Sequence, residues 1–98
     1  MVKHVILWKL KDAPEADKKK IKEEMKKNLE ALVGVVPGLV SLKVEINPLA
    51  SSNADVMLDS ILESEEALKG YQSHPAHVAV ADTYVRPYAE VRLCMDYE

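Results

Sequence analysis

Residues 2–11 alternate with a period of two: Val2, His4, Ile6, Trp8 and Leu10 fall on one face, and Lys3, Val5, Leu7 and Lys9 on the other. The centre of this predicted strand is apolar on both sides, so it belongs in a sheet whose two faces are both covered. Asp12 with Glu15 three positions on has the form of a capping box, and Pro14 is tolerated in a first helical turn. The helix predicted from there presents Ile21, Met25, Leu29 and Leu32 at helical spacing, turns its lysines to water and ends at Gly34, suited to a left-handed C-cap. Residues 39–47 read as an edge strand with Val40, Leu42, Val44 and Ile46 facing one way and Ser41, Lys43, Glu45 and Asn47 the other. Turn composition marks 48–54, and a third strand follows over 55–62, with Val56, Leu58, Ser60 and Leu62 opposite Met57, Asp59 and Ile61. Asp59 needs a cationic or hydrogen-bonding partner there. Ser64 caps a short helix over 65–72 with Glu65 and Glu66 in its first turn. Pro75 holds His74 extended and opens a second helical segment that runs to about 85, before Pro87. The last strand, 88–97, sets Val91, Leu93, Met95 and Tyr97 against Arg92, Cys94 and Asp96.

The predicted order is βαββαβ, the ferredoxin-like α+β arrangement: a four-stranded antiparallel sheet with the first and third strands central. Helices cover one face of such a sheet. The apolar residues of the other face, among them Val5, Leu7, Met57 and Ile61, require a second cover. Another copy of the same sheet packed about a two-fold axis supplies it, which predicts a homodimer; a bound lipid or an unrelated partner would serve the same end.

Composition adds limits. The 98 residues suit one domain, and a monomer of this size buries too little surface to be very stable alone. The one apolar run near the start, Val5 to Trp8, is four residues long and followed by Lys9 and Lys11, so neither a secretory signal nor a membrane span is expected. The expectation is a soluble cytoplasmic protein. With a net charge of −3 and the lysines of 18–27 interleaved with Glu23 and Glu24, nucleic acid is not an expected partner. The single cysteine, Cys94, lies in an apolar stretch and reads as a buried, inert thiol.

Four segments carry a recognisable pattern: Val2-Lys3-His4-Val5, Glu63-Ser64-Glu65-Glu66-Ala67-Leu68, His74-Pro75-Ala76-His77 and Met95-Asp96-Tyr97. Together they resemble the stress-responsive A/B-barrel (Dabb) domain over essentially the whole chain. The resemblance implies a homodimeric α+β barrel. It implies no uniform function: many members have no assigned activity, whereas a plant member closes a polyketide chain by intramolecular aldol chemistry. The catalytic tyrosine and histidine of that member match Tyr71 and His77, and a histidine of its pocket matches His4.

Read from the residues, Tyr71 ends one short helix and His77 lies in the first turn of the next, so the Pro75 break can aim both into one cavity above the sheet. A histidine near a helix N-terminus is disfavoured as imidazolium, leaving a neutral ring able to accept a proton, and a tyrosine hydroxyl can stabilise a developing enolate. Asp96 is placed to orient that imidazole if the last strand passes beneath it. Ile6, Trp8 and Leu58 share the sheet face of His4 and are expected to line the pocket, with the Trp8 indole taking the volume of a long substrate tail and favouring a smaller ligand. Histidines beside a proline break also serve as caps or core residues, so a structural role stays open beside the catalytic one. A metal site is not expected: His74 and His77 are three apart, but His74 is not helical and no H-E-x-x-H motif is present. The leading expectation is a protein that binds a small apolar or aromatic molecule without a cofactor. Against it stand a cofactor-free cyclase or lyase using His77 and Tyr71, and a ferredoxin-like cofactor-independent monooxygenase.

Overall fold

The computed structural model describes residues 1–98. Its elements run β1 (Val2–Leu10), α1 (Glu15–Glu30), β2 (Leu39–Glu45), β3 (Val56–Leu62), α2 (Glu65–Ser73), α3 (Pro75–Val80) and β4 (Ala89–Tyr97), with a π-helical turn (Ala81–Val85) continuing α3. The sheet order is β2-β3-β1-β4 and every pairing is antiparallel, so β1 and β3 are central, as the βαββαβ order with right-handed crossovers predicts.

The helices lie on the face that carries Val2, His4, Ile6, Trp8 and Leu10. Met25 and Leu29 of α1 and Leu68 and Tyr71 of α2 are buried against it, together with Val44, Leu58 and Leu62 from the neighbouring strands. Each large side chain taken fully out of water contributes about 1.5–3 kcal/mol, so this single layer is what holds the helices to the sheet. Glu30 adds a polar tie: its carboxylate accepts from Lys26 Nζ at 2.8 Å and from the Val44 N–H at 2.9 Å.

Several local expectations are corrected. Asp12 does not cap α1; Pro14 occupies the cap position and no side chain bonds the first turn, which leaves the acidic Glu15 and Asp17 to complement its free N–H groups. The helix ends at Glu30 rather than at Gly34, and residues 31–35 form turns closed by bonds such as Val36 N–H to Leu32 O at 3.0 Å. Val40 does not share the buried face of Leu42 and Val44, because the pairing of β2 with β3 shifts between Leu39 and Ser41 and turns Val40 outward. Ser64 does cap α2, accepting from the Ala67 N–H at 3.1 Å. Asp59 finds its cation in Lys3, whose Nζ lies 2.8 Å from the carboxylate.

Gly38 shows how tightly the α1–β2 connection packs on α2. Its φ is +81°, and a methyl group there would sit 2.7 Å from Ala67 Cβ. Gly38→Ala therefore combines left-handed strain with overpacking and should cost about 2 kcal/mol or more. A melting temperature lowered by roughly 10 °C is expected, and an unchanged one would contradict this packing.

The opposite face of the sheet has no helix over it. Leu7 is 37% exposed, Val91 44%, Leu93 63%, Met95 67% and Tyr97 45%, which makes an apolar band along β1 and β4. No helix is long and apolar enough to cross a membrane.

Candidate functional site

A cavity of about 400 Å³ opens between the sheet and the helices that cover it. Its floor is His4, Ile6 and Trp8 of β1 with Leu58 of β3, and its wall is Tyr71 and His77. The period-two pattern and the Pro75 break thus bring all six sequence-predicted pocket residues together. The Trp8 indole, buried to 3% exposure, forms part of the floor without closing the space.

Tyr71 sits on the buried face of α2, 1% exposed, and its hydroxyl is buried without a hydrogen-bond partner. Burial pushes the phenol above its usual range, with the Arg92 guanidinium opposing, so the group is a protonated donor at neutral pH. A buried donor left unpaired costs about 1–3 kcal/mol, which singles this one out among the aromatic residues. The His77 ring lies with its centroid 4.3 Å from that of Tyr71, and its Nδ1 is 3.2 Å from the Gln72 carbonyl oxygen. A carbonyl only accepts, so Nδ1 carries the proton and Nε2 keeps its lone pair. Burial is the first cause holding the His77 pKa below its usual value; the Gln72 carbonyl opposes it, and Arg86, His4 and Arg92 add to it. The helix dipole invoked from the sequence is a weak cause here, since α3 has only six residues.

His74 does something else. Its Nδ1 accepts from the Ala76 N–H at 3.1 Å and caps α3, so it does not join His77 in a ligand pair. Asp96 is also relocated. Register pairs His4 directly with Asp96, and the carboxylate hydrogen-bonds His4 Nδ1 rather than any atom of His77. It stands outside the cavity and fixes the tautomer of His4, whose ring meets Tyr71 edge-on at 6.0 Å. Cys94 is not buried as expected, because no helix reaches over the edge strand β4. Partial burial and the adjacent Asp96 carboxylate hold its thiol above the usual range, which argues against a nucleophilic role.

His4 Nδ1, Cys94 Sγ and an Asp96 oxygen lie within 4.8 Å of one another and are the residues best placed to hold a cation; nitrogen, sulfur and oxygen together would suit zinc. As it stands, the group is a hydrogen-bonded cluster, with Cys94 Sγ 3.5 Å from Asp96 Oδ1.

Sequence reasoning missed three residues at the cavity mouth: Gln72, Arg86 and Arg92. Arg86 arrives there through the π-helical turn, closed by Arg86 N–H to Ala81 O at 2.8 Å, for which the local sequence has no marker. Arg92 was legible, since it shares a strand face with Asp96.

Comparison with known proteins places this geometry. The chain is 33% identical to a stress-response A/B barrel domain-containing protein of Arabidopsis thaliana across 99% of its own length, although it spans only 36% of that protein. It is likewise 33% identical to olivetolic acid cyclase of Cannabis sativa, covering 98% of this chain and 94% of the cyclase. A dimeric protein of unknown function and ferredoxin-like fold from Bacteroides fragilis superposes with a TM-score of 0.93 at 31% identity, covering 99% of this chain and 94% of that one. The model of the stress responsive A/B barrel domain family matches residues 2–98, and the chain belongs to that family.

Proposed function

We propose that the cavity binds a small aromatic or apolar molecule bearing a carbonyl group, and that His77 and Tyr71 move a proton on it without a cofactor. The observation that carries this reading is the unpaired, buried Tyr71 hydroxyl beside a histidine whose Nδ1 is already engaged. Such a pair matches what enolisation needs. The Nε2 lone pair of His77 removes a proton from the carbon next to the carbonyl, and the Tyr71 O–H donates to the oxygen on which the electron pair settles. When a second carbonyl of the same molecule lies in reach, the enolate carbon bonds to its carbon, and the new alkoxide takes the proton back from His77. The name of the cyclase relative supports ring closure of this kind, and the volume of about 400 Å³ suits a compact substrate.

The same proposal takes the protein to be a homodimer. The apolar band of Leu7, Val91, Leu93, Met95 and Tyr97 is what a second sheet would cover, and the Bacteroides fragilis relative is dimeric.

The proton transfer is tested without knowing the substrate, by following deuterium entry next to the carbonyl of butyrophenone in D₂O by NMR. Exchange faster than in buffer with the same histidine concentration is expected. Binding of the ketone with no acceleration would leave a binding protein and remove the chemistry.

A further inference from the structure

The cavity's charges are one-sided. Among its lining residues are two arginines and two histidines but no carboxylate, in a chain whose net charge is −3. Arg86 is neutralised by an ion pair with Asp82 one helical turn away. Arg92 is in no ion pair: Asp96, on the same strand face, is taken by His4, and Glu90 two positions before it does not reach it. Register fixes its place, because Arg92 lies directly across from Trp8, with Cys94 across from Ile6 and Asp96 across from His4. One strand face therefore sets Arg92, a guanidinium with no carboxylate partner, across from Trp8 at the mouth of an apolar floor. Its field reaches the wall, where it disfavours positive charge on His77 and favours negative charge on Tyr71.

We propose that the ligand of this cavity is an organic anion, a compact aromatic or acyl carboxylate with a carbonyl group, whose carboxylate pairs with Arg92 while its apolar body lies on Trp8 and Ile6. This inference rests on the carbonyl-binding reading above and adds the charge of the ligand. A guanidinium offers a planar pair of donors matched to a carboxylate, and a charge-assisted pair at the rim of an apolar pocket is stronger than one on an open surface. An anchor there leaves the carbonyl of a short acid free to reach between Tyr71 and His77. The arrangement selects against neutral ketones of the same shape, since these leave the cation without its partner.

The test compares 4-oxo-4-phenylbutanoate with its amide and with butyrophenone, by NMR titration of wild type, Arg92→Gln and Arg92→Lys. The acid is expected to bind wild type about tenfold more tightly than the amide. Arg92→Gln should abolish that preference while binding butyrophenone within about twofold of wild type, which also certifies its fold; Arg92→Lys should keep part of the preference. Equal binding of acid and amide to wild type, or a preference that survives in Arg92→Gln, overturns the anion inference and leaves the carbonyl pocket standing. Failure of all three compounds to bind overturns both.

Discussion

In His77→Ala, deuterium exchange into butyrophenone will fall by about a hundredfold or more, the range that a positioned base contributes. The cause is specific. His77 is the group on the cavity wall with a free ring nitrogen, and its companion Tyr71 has no other partner for its hydroxyl. Tyr71→Phe should lose a comparable share of the exchange, because the developing oxyanion would meet a ring edge instead of a donor. The two variants differ in stability. Removing an unsatisfied buried hydroxyl removes its desolvation cost, so Tyr71→Phe should melt at the wild-type temperature or above. His77→Ala should melt lower, since the space left beside Tyr71 is not refilled. A Tyr71→Phe protein that is much less stable yet retains full exchange would show that the hydroxyl serves the fold. The pH dependence has a fixed sign: activity needs neutral His77, whose folded pKa lies below the ordinary value, so exchange should hold on the alkaline side and decline only below the usual histidine range.

The second large effect concerns the other side of the sheet. Leu93→Asp is expected to turn a sedimenting dimer into monomers at micromolar concentration. Leu93 is 63% exposed in a single chain, so the aspartate costs the isolated fold little, whereas covering an unpaired carboxylate at an interface costs about 3 kcal/mol or more per copy. Two copies across a two-fold axis double that penalty, and the weakening amounts to roughly ten-thousandfold or more. An exposed substitution on the helical side of the sheet, such as Lys19→Glu in α1, lies away from the uncovered face and serves as the control. If wild type itself sediments as a monomer, the covered-face argument fails along with the dimer.

What was legible in the sequence follows from which forces are local. The alternation in residues 2–11 and 55–62 reports directly which side chains share a face, and it sufficed for the floor of the cavity, while the strand order followed from the βαββαβ succession with right-handed crossovers. Pro75 in His74-Pro75-Ala76-His77 set the helix break that brings Tyr71 and His77 together. What escaped depends on pairing between distant strands. Asp96 is on the predicted face, but only the register of β1 with β4 decides that it meets His4 and that Arg92 meets Trp8. The exposed Val40 reflects a register shift with no side-chain signature, and the extra residue of the π-helical turn has none either. Asp12 failed as a cap because Pro14 two positions on already provides an extended residue at the helix entrance, and the chain took the nearer one.

All of the proposed chemistry requires that His77 present an unprotonated Nε2 to the cavity. Long-range ¹H–¹⁵N NMR of the imidazole, followed through a pH titration, reads that state directly. The account predicts a protonated Nδ1 and a bare Nε2 at neutral pH, with a titration midpoint below that of a free histidine. A proton on Nε2, or an imidazolium persisting at neutral pH, would contradict it.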